Sequence, residues 1–454
     1  MATGKVKIEV RALKDGMFVC ELDRPWHETP FPLQGFYIRD EEDIKALRPF
    51  CRYVYVDALR TKNQSAYTSN SVPEAKAKAK SVSKVARSSS APKIKRAEDE
   101  GKVVKLAPLV IKKPRRYQVS NTVKKEVSKA KKLHRNVCEA MQGVFKTVQN
   151  GGDISLKETS QLADGLVESV ARNPDALIWL SKMSDYDLHA YQHVVRSSIW
   201  ALVLGRHLGL DKPLLKTLAM GVLFCQVGKM KIAPVLLDDV ENLSGQALLD
   251  YQQYVSESVR ILKTMEGIGE GVIAIAEFHR ERHNGTGFPK GLTGDRIPLM
   301  AKIAGLVDYY QYLITPRENT CGCSPQEAVA QLYALRNIAF QQDLVEKLIE
   351  AVGVYPTGTL VELSNRHVGI VTGHHVDRRL QPKLILILDA DKKPLRSAKV
   401  LDLKEWNEGK IDSDCLFING SLPKGAFGVD ENAYLLSGAK SKWSLKHLSA
   451  SLSR

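Results

Sequence analysis

The chain has 454 residues, 44% of them hydrophobic and 26% charged, with a formal net charge of +15. That length suits two or three domains, and the apolar fraction predicts at least one sizeable core. No apolar run approaches the ~18 residues of a membrane-spanning helix, and the N-terminus MATGKVKIEV carries no apolar stretch of a secretory signal.

Residues 5–60 read as a small β-rich module. Lys5–Val10 alternates apolar and polar residues, as a half-buried strand does. Gly16–Cys20 and Tyr53–Val56 are short runs of strand character, and the acids of Asp40–Ile44 suit the start of a short helix between them. We set this module at 1–61. From 62 to 116 the chain is rich in Ser, Lys and Ala, with fifteen basic and four acidic residues, a net of +11. Such a segment buries too little surface to offset its ordering entropy, so a disordered basic linker is expected. Self-repulsion would keep it extended, and its charge would suit an acidic partner.

At 117–182 the period turns helical. Val123, Val127, Ala130, Leu133, Val137 and Met141 fall on one helix face, and Gly151-Gly152 ends that helix. A second helix carries Leu162, Leu166, Val167 and Val170 and stops before Asn173-Pro174. Helices continue to about 353, with Asp211 and Ser244 as N-cap candidates and Pro213 in a first turn. Beyond Gly358, Thr359–Leu363, His367–Val371 and Pro382–Leu388 read as strands, followed by a Gly- and Ser-rich tail. The expected fold is mainly α, a helical domain at 183–357, between the β-rich N-terminal module and a β-rich C-terminal extension at 358–454. The seven cysteines are scattered, and only Cys321 and Cys323 are close, which predicts free thiols in a reducing cytoplasm.

Chemistry-bearing residues cluster in four pieces. His193 lies in Tyr191–Ser198, and Cys225-Gln226 precedes Val227-Gly228-Lys229. His279-Arg280-Glu281 leads into Gly285-Thr286-Gly287-Phe288-Pro289, and Asp308 follows Ala301-Lys302-Ile303. Alone, each is weak. In this order they resemble the HD-GYP family: a helical His, His-Asp before Ile-Gly-Lys, another His, His-His-Glu leading into Gly-Tyr-Pro, then an Asp on the next helix. Residues 5–60 resemble the small domain often found ahead of HD-GYP domains.

The resemblance implies a cyclic di-GMP phosphodiesterase fold with two or three iron or manganese ions held by His and carboxylate groups, whose bound water attacks the phosphodiester. Measured against that pattern, His193, His279 and Asp308 remain as metal ligands. Cys225-Gln226 replaces His-Asp, Tyr254 replaces the next His, and Arg280 replaces the second His of the pair. A neutral Gln bridges metals poorly, and a guanidinium has no lone pair to give. Lys229 and Arg317 stand where the family faces substrate phosphates, and Arg280 could stand in for metal charge.

The expectation is therefore a cytoplasmic, catalytically impaired HD-GYP relative without a bound cofactor, which acts by binding cyclic di-GMP or a signalling protein partner. Two alternatives stay open: an active phosphodiesterase with a reduced iron or manganese site, and an interaction scaffold that has lost ligand binding too.

Overall fold

A computed structural model describes residues 5–24, 35–38, 41–57, 106, 109–183, 190–238, 240–316, 322–375, 380–408, 410, 415–422 and 425–429. The chain divides into two compact units, residues 1–93 and 94–454.

In the first unit, β1 (Lys5–Glu9), β2 (Phe18–Leu22), β3 (Phe36–Tyr37) and β4 (Tyr53–Asp57) form an antiparallel sheet in the order β1-β4-β2-β3, with α1 (Glu41–Leu47) before β4. The alternation read in Lys5–Val10 does not mark a buried face, since Val6 is exposed and Ile8 only partly buried, whereas β4 does alternate. Val54 and Val56 point inward beside Val19, while Tyr53 and Tyr55 stay partly exposed.

The second unit is mostly helical. Helices α2 (Val123–Gln149), α3 (Leu156–Arg172) and α4 (Pro174–Met183) precede α5 (Ala190–His207), α6 (Lys212–Phe224) and α7 (Val235–Asp238). Then come α8 (Gly245–Thr264), α9 (Glu270–Phe278), α10 (Leu299–Ile314), α11 (Pro325–Ala334) and α12 (Gln342–Val352). Helix α5 is buried all round from Val194 to Gly205, Arg196, Ser197 and Ser198 included. It packs on α6 and α10, and α6 packs on α9. The Asp211 side chain accepts from Leu214 N at 2.9 Å and starts α6. Ser244 sits at the N-cap of α8 but makes no side-chain cap bond.

The structure adds detail to two expectations. The sequence reading runs the linker to 116, but residues 109–116 lie against the helical unit. Leu109 N donates to Asp343 Oδ2 at 2.6 Å, and Arg115 N donates to the Gly209 carbonyl at 2.8 Å. The rest of the expected linker, 62–108, lies outside the described residues except for Leu106. The C-terminal extension also holds more strand than expected. β5 (Leu360–Leu363), β6 (Val368–Gly373), β7 (Lys383–Leu388), β8 (Pro394–Asp402) and β9 (Ile418–Ser421) form one antiparallel sheet in the order β8-β7-β6-β5-β9, with α13 (Leu403–Asn407) after β8.

Candidate functional site

Five elements of the helical unit converge. α5 supplies His193, and the end of α6 supplies Cys225, followed by Gln226 and a 3-10 turn, Val227–Lys231, that carries Lys229. α8 supplies Tyr254, the end of α9 supplies His279 and then Arg280, and α10 supplies Asp308. A hydrogen bond in the same α5–α10 seam, Trp200 Nε1 to Gln311 Oε1 at 2.9 Å, holds these two helices in register.

The turn carrying Lys229 is pressed against α8. A Cβ on Gly228 would meet the Tyr254 carbonyl at 2.1 Å, so only glycine permits this approach. Ser258 then stitches the seam: its Oγ accepts from Gly228 N at 2.9 Å and donates to the Cys225 carbonyl at 3.0 Å. Gln226 is thereby fixed over α10.

Asp308 is the node. Its Oδ1 accepts from His193 Nε2 at 2.8 Å and from Gln226 Nε2 at 2.5 Å, and its Oδ2 accepts from Arg280 Nη1 at 3.1 Å. Lys229 Nζ donates to Gln226 Oε1 at 2.8 Å. An ammonium has only donors, so it takes the amide oxygen and turns the amide NH2 toward the carboxylate. Burial alone would raise the Asp308 carboxyl, but the His193 hydrogen bond and the Arg280 charge hold it well below the usual carboxylate range.

His279 is fully buried, and burial pushes its imidazole down to about 3, so it is neutral at physiological pH. Its Nδ1 bonds the Ala276 carbonyl at 2.8 Å, which leaves the Nε2 lone pair to accept from the Tyr254 hydroxyl at 3.0 Å. Burial also raises the Tyr254 hydroxyl well above its usual value, so it stays a donor.

Residues 181–340 match the family described as HD domain, and residues 5–159 match a domain of unknown function, DUF3391. The chain carries an HD domain. It is similar to a cyclic di-GMP phosphodiesterase of Pseudomonas aeruginosa, 26% identical over 400 residues that cover 87% of this chain and 88% of that protein. It is also similar to the cyclic di-GMP phosphodiesterase response regulator of Xanthomonas campestris, 25% identical over 204 residues, 43% of this chain and 52% of that one. A cyclic di-GMP phosphodiesterase of Borreliella burgdorferi is 23% identical over 176 residues, 39% of this chain and 46% of that one.

The residues present in this HD domain do not fit the iron or manganese centre that the resemblance implies. Both Asp308 oxygens already accept hydrogen bonds, and the ring nitrogen of His279 that could face a metal is taken by Tyr254. The Arg280 guanidinium sits where a dication would be repelled. Among the described residues, no group of three or more His, Cys, Asp or Glu side chains could hold a metal ion. Cys225 offers no thiolate: its thiol donates to the Val222 carbonyl at 3.2 Å, and burial pushes its pKa upward.

His193, Arg280 and Asp308 do meet, with Lys229 joined to them through Gln226, while His279 pairs with Tyr254 instead. Arg317 lies outside the described residues, as does Cys321. The sequence reading did not anticipate Glu281 as a loop clamp. Its two oxygens accept from Lys290 N at 2.7 Å and Leu292 N at 2.8 Å, closing the Gly285–Pro289 segment. His374 and His375 are used in the C-terminal sheet region, on the Tyr355 carbonyl and on Asp402.

Proposed function

We propose that this protein works in cyclic di-GMP signalling and that its HD domain receives the dinucleotide without hydrolysing it. The observation that carries the reading is the engagement of both Asp308 oxygens by His193, Gln226 and Arg280. A carboxylate so engaged cannot bridge two metal ions unless these bonds break, and the cations around it suit the phosphates of a dinucleotide. Lys229 and Arg280 are the ligand-facing groups of this reading, with Arg317 as a third. His193, His279 and Asp308 are remnants of a metal site, and a signalling protein in the cytoplasm is the partner that reads the bound state. The basic segment ahead of residue 109 contacts an acidic surface of such a partner. The three relatives described above are each named as cyclic di-GMP phosphodiesterases, which supports the ligand.

The test is calorimetry of the full chain with cyclic di-GMP, run beside a product assay with added manganese or iron. Saturable binding with intact dinucleotide recovered is expected. Linear or mononucleotide product at a catalytic rate would replace this reading by that of an enzyme with a reduced site, and no binding of any kind by that of a scaffold.

A further inference from the structure

The groups of this site that reach solvent differ in charge from the group beneath them. The side chains of His193 and Arg280 are each 21% exposed, and Lys229 is partly exposed, whereas the Asp308 side chain is 4% exposed. An ionised carboxylate only accepts, so His193 Nε2 carries the proton in its bond to Asp308. The mouth of the site thus carries the cations Arg280 and Lys229, and its floor is an anion. Arg280 is held from two sides, by Asp308 at 3.1 Å and by the Phe288 ring 5.4 Å from its guanidinium carbon.

The geometry points to Asp308 as an internal competitor for the anion that this site takes. Its carboxylate occupies the donors that an incoming phosphate would use: Arg280 and His193 directly, and Lys229 through the Gln226 amide. A phosphate at the mouth meets the repulsion of that carboxylate and has to draw Arg280 away from it. Binding is therefore coupled to opening of the Arg280–Asp308 pair, a two-position element that a partner protein can read. This inference rests on the reading of the site as a dinucleotide receptor and describes how that receptor is held closed.

The decisive variant is Asp308→Asn, which keeps the size of the side chain and an acceptor oxygen but removes the charge. Cyclic di-GMP and inorganic pyrophosphate are each titrated into the full-length wild type and the variant, with thermal melts as a fold control. Removing the competitor tightens both by about tenfold or more, because the like charge facing the incoming anion is gone. Unchanged or weaker binding of both by a folded Asp308→Asn protein overturns the inference. Tightening for pyrophosphate with no dinucleotide binding by either protein leaves the competitor in place but defeats the receptor reading. If Asp308→Asn fails to fold, Gln226→Glu adds a second carboxylate at nearly constant shape. It should weaken pyrophosphate binding by a similar factor, and unaltered affinity there, or no binding by any folded form, overturns the inference as well.

Discussion

Tyr254 donates its hydroxyl to Nε2 of His279 over 3.0 Å, with both side chains fully buried. A tyrosine therefore occupies the one lone pair of His279 that is not already committed, and it does so without charge. Tyr254→Phe keeps the ring and its edge contact with Phe288 but leaves Nε2 buried with no donor. The loss should be about 1–3 kcal/mol, the desolvation penalty of an orphaned buried acceptor. Urea denaturation measures it, and an unchanged midpoint would mean that the bond contributes nothing.

Arg280→Met removes the cation from Oδ2 of Asp308 while preserving much of the apolar stem. A buried pair broken on one side loses about 3–5 kcal/mol, and the partial exposure of Arg280 brings the expected loss nearer to about 2 kcal/mol. Denaturant titration checks this, and dinucleotide binding should be lost in the same protein.

Gly228→Ala tests the close approach that fixes Gln226. The added Cβ would lie 2.1 Å from the Tyr254 carbonyl and 2.5 Å from Ser258 N, both of them backbone atoms of α8 that cannot swing aside. The turn has to move away, at a cost of about 1–3 kcal/mol or more for overpacking. A melt indistinguishable from wild type would contradict the packing described.

Much of the fold can be read from residue patterns, for reasons visible in particular elements. β4 alternates Tyr, Val, Tyr, Val with one buried face, and α2 repeats Val123, Val127 and Ala130 at helical spacing. β8 escapes such reading because it is an edge strand whose Arg396, Ser397, Lys399 and Val400 are exposed, so no alternation marks a core face. β9, Ile418–Ser421, contains Asn and Gly and resembles a turn. Within the site, residue types reveal that Gln226, Tyr254 and Arg280 are unsuited to a metal. They do not reveal that His279 commits Nδ1 to the Ala276 carbonyl, nor that Lys229 sets the orientation of the Gln226 amide, because those depend on backbone atoms brought close by folding.

Acid should weaken the protein through its buried histidines. Burial pushes His134 down to about 4 and His279 down to about 3, from an ordinary value of 6.5. Between these limits the unfolded chain binds protons that the folded chain refuses, so stability is complete above pH 6.5 and falls as the pH drops toward 4. Glu126 adds a lower window. Its hydrogen bond from Arg172 holds it at about 2 against 4.5, so its contribution is present above pH 4.5 and is lost as the pH falls toward 2. Urea midpoints at pH 7 and pH 5 should differ, and His134→Leu should shrink the difference; equal midpoints would contradict the burial of these rings.

Metal content is the most direct measurement. Full-length protein, loaded with manganese or iron under reducing conditions and then desalted, should retain far less than one metal ion per chain and release no product from cyclic di-GMP. Two ions retained per chain, together with hydrolysis of the dinucleotide, would contradict the account.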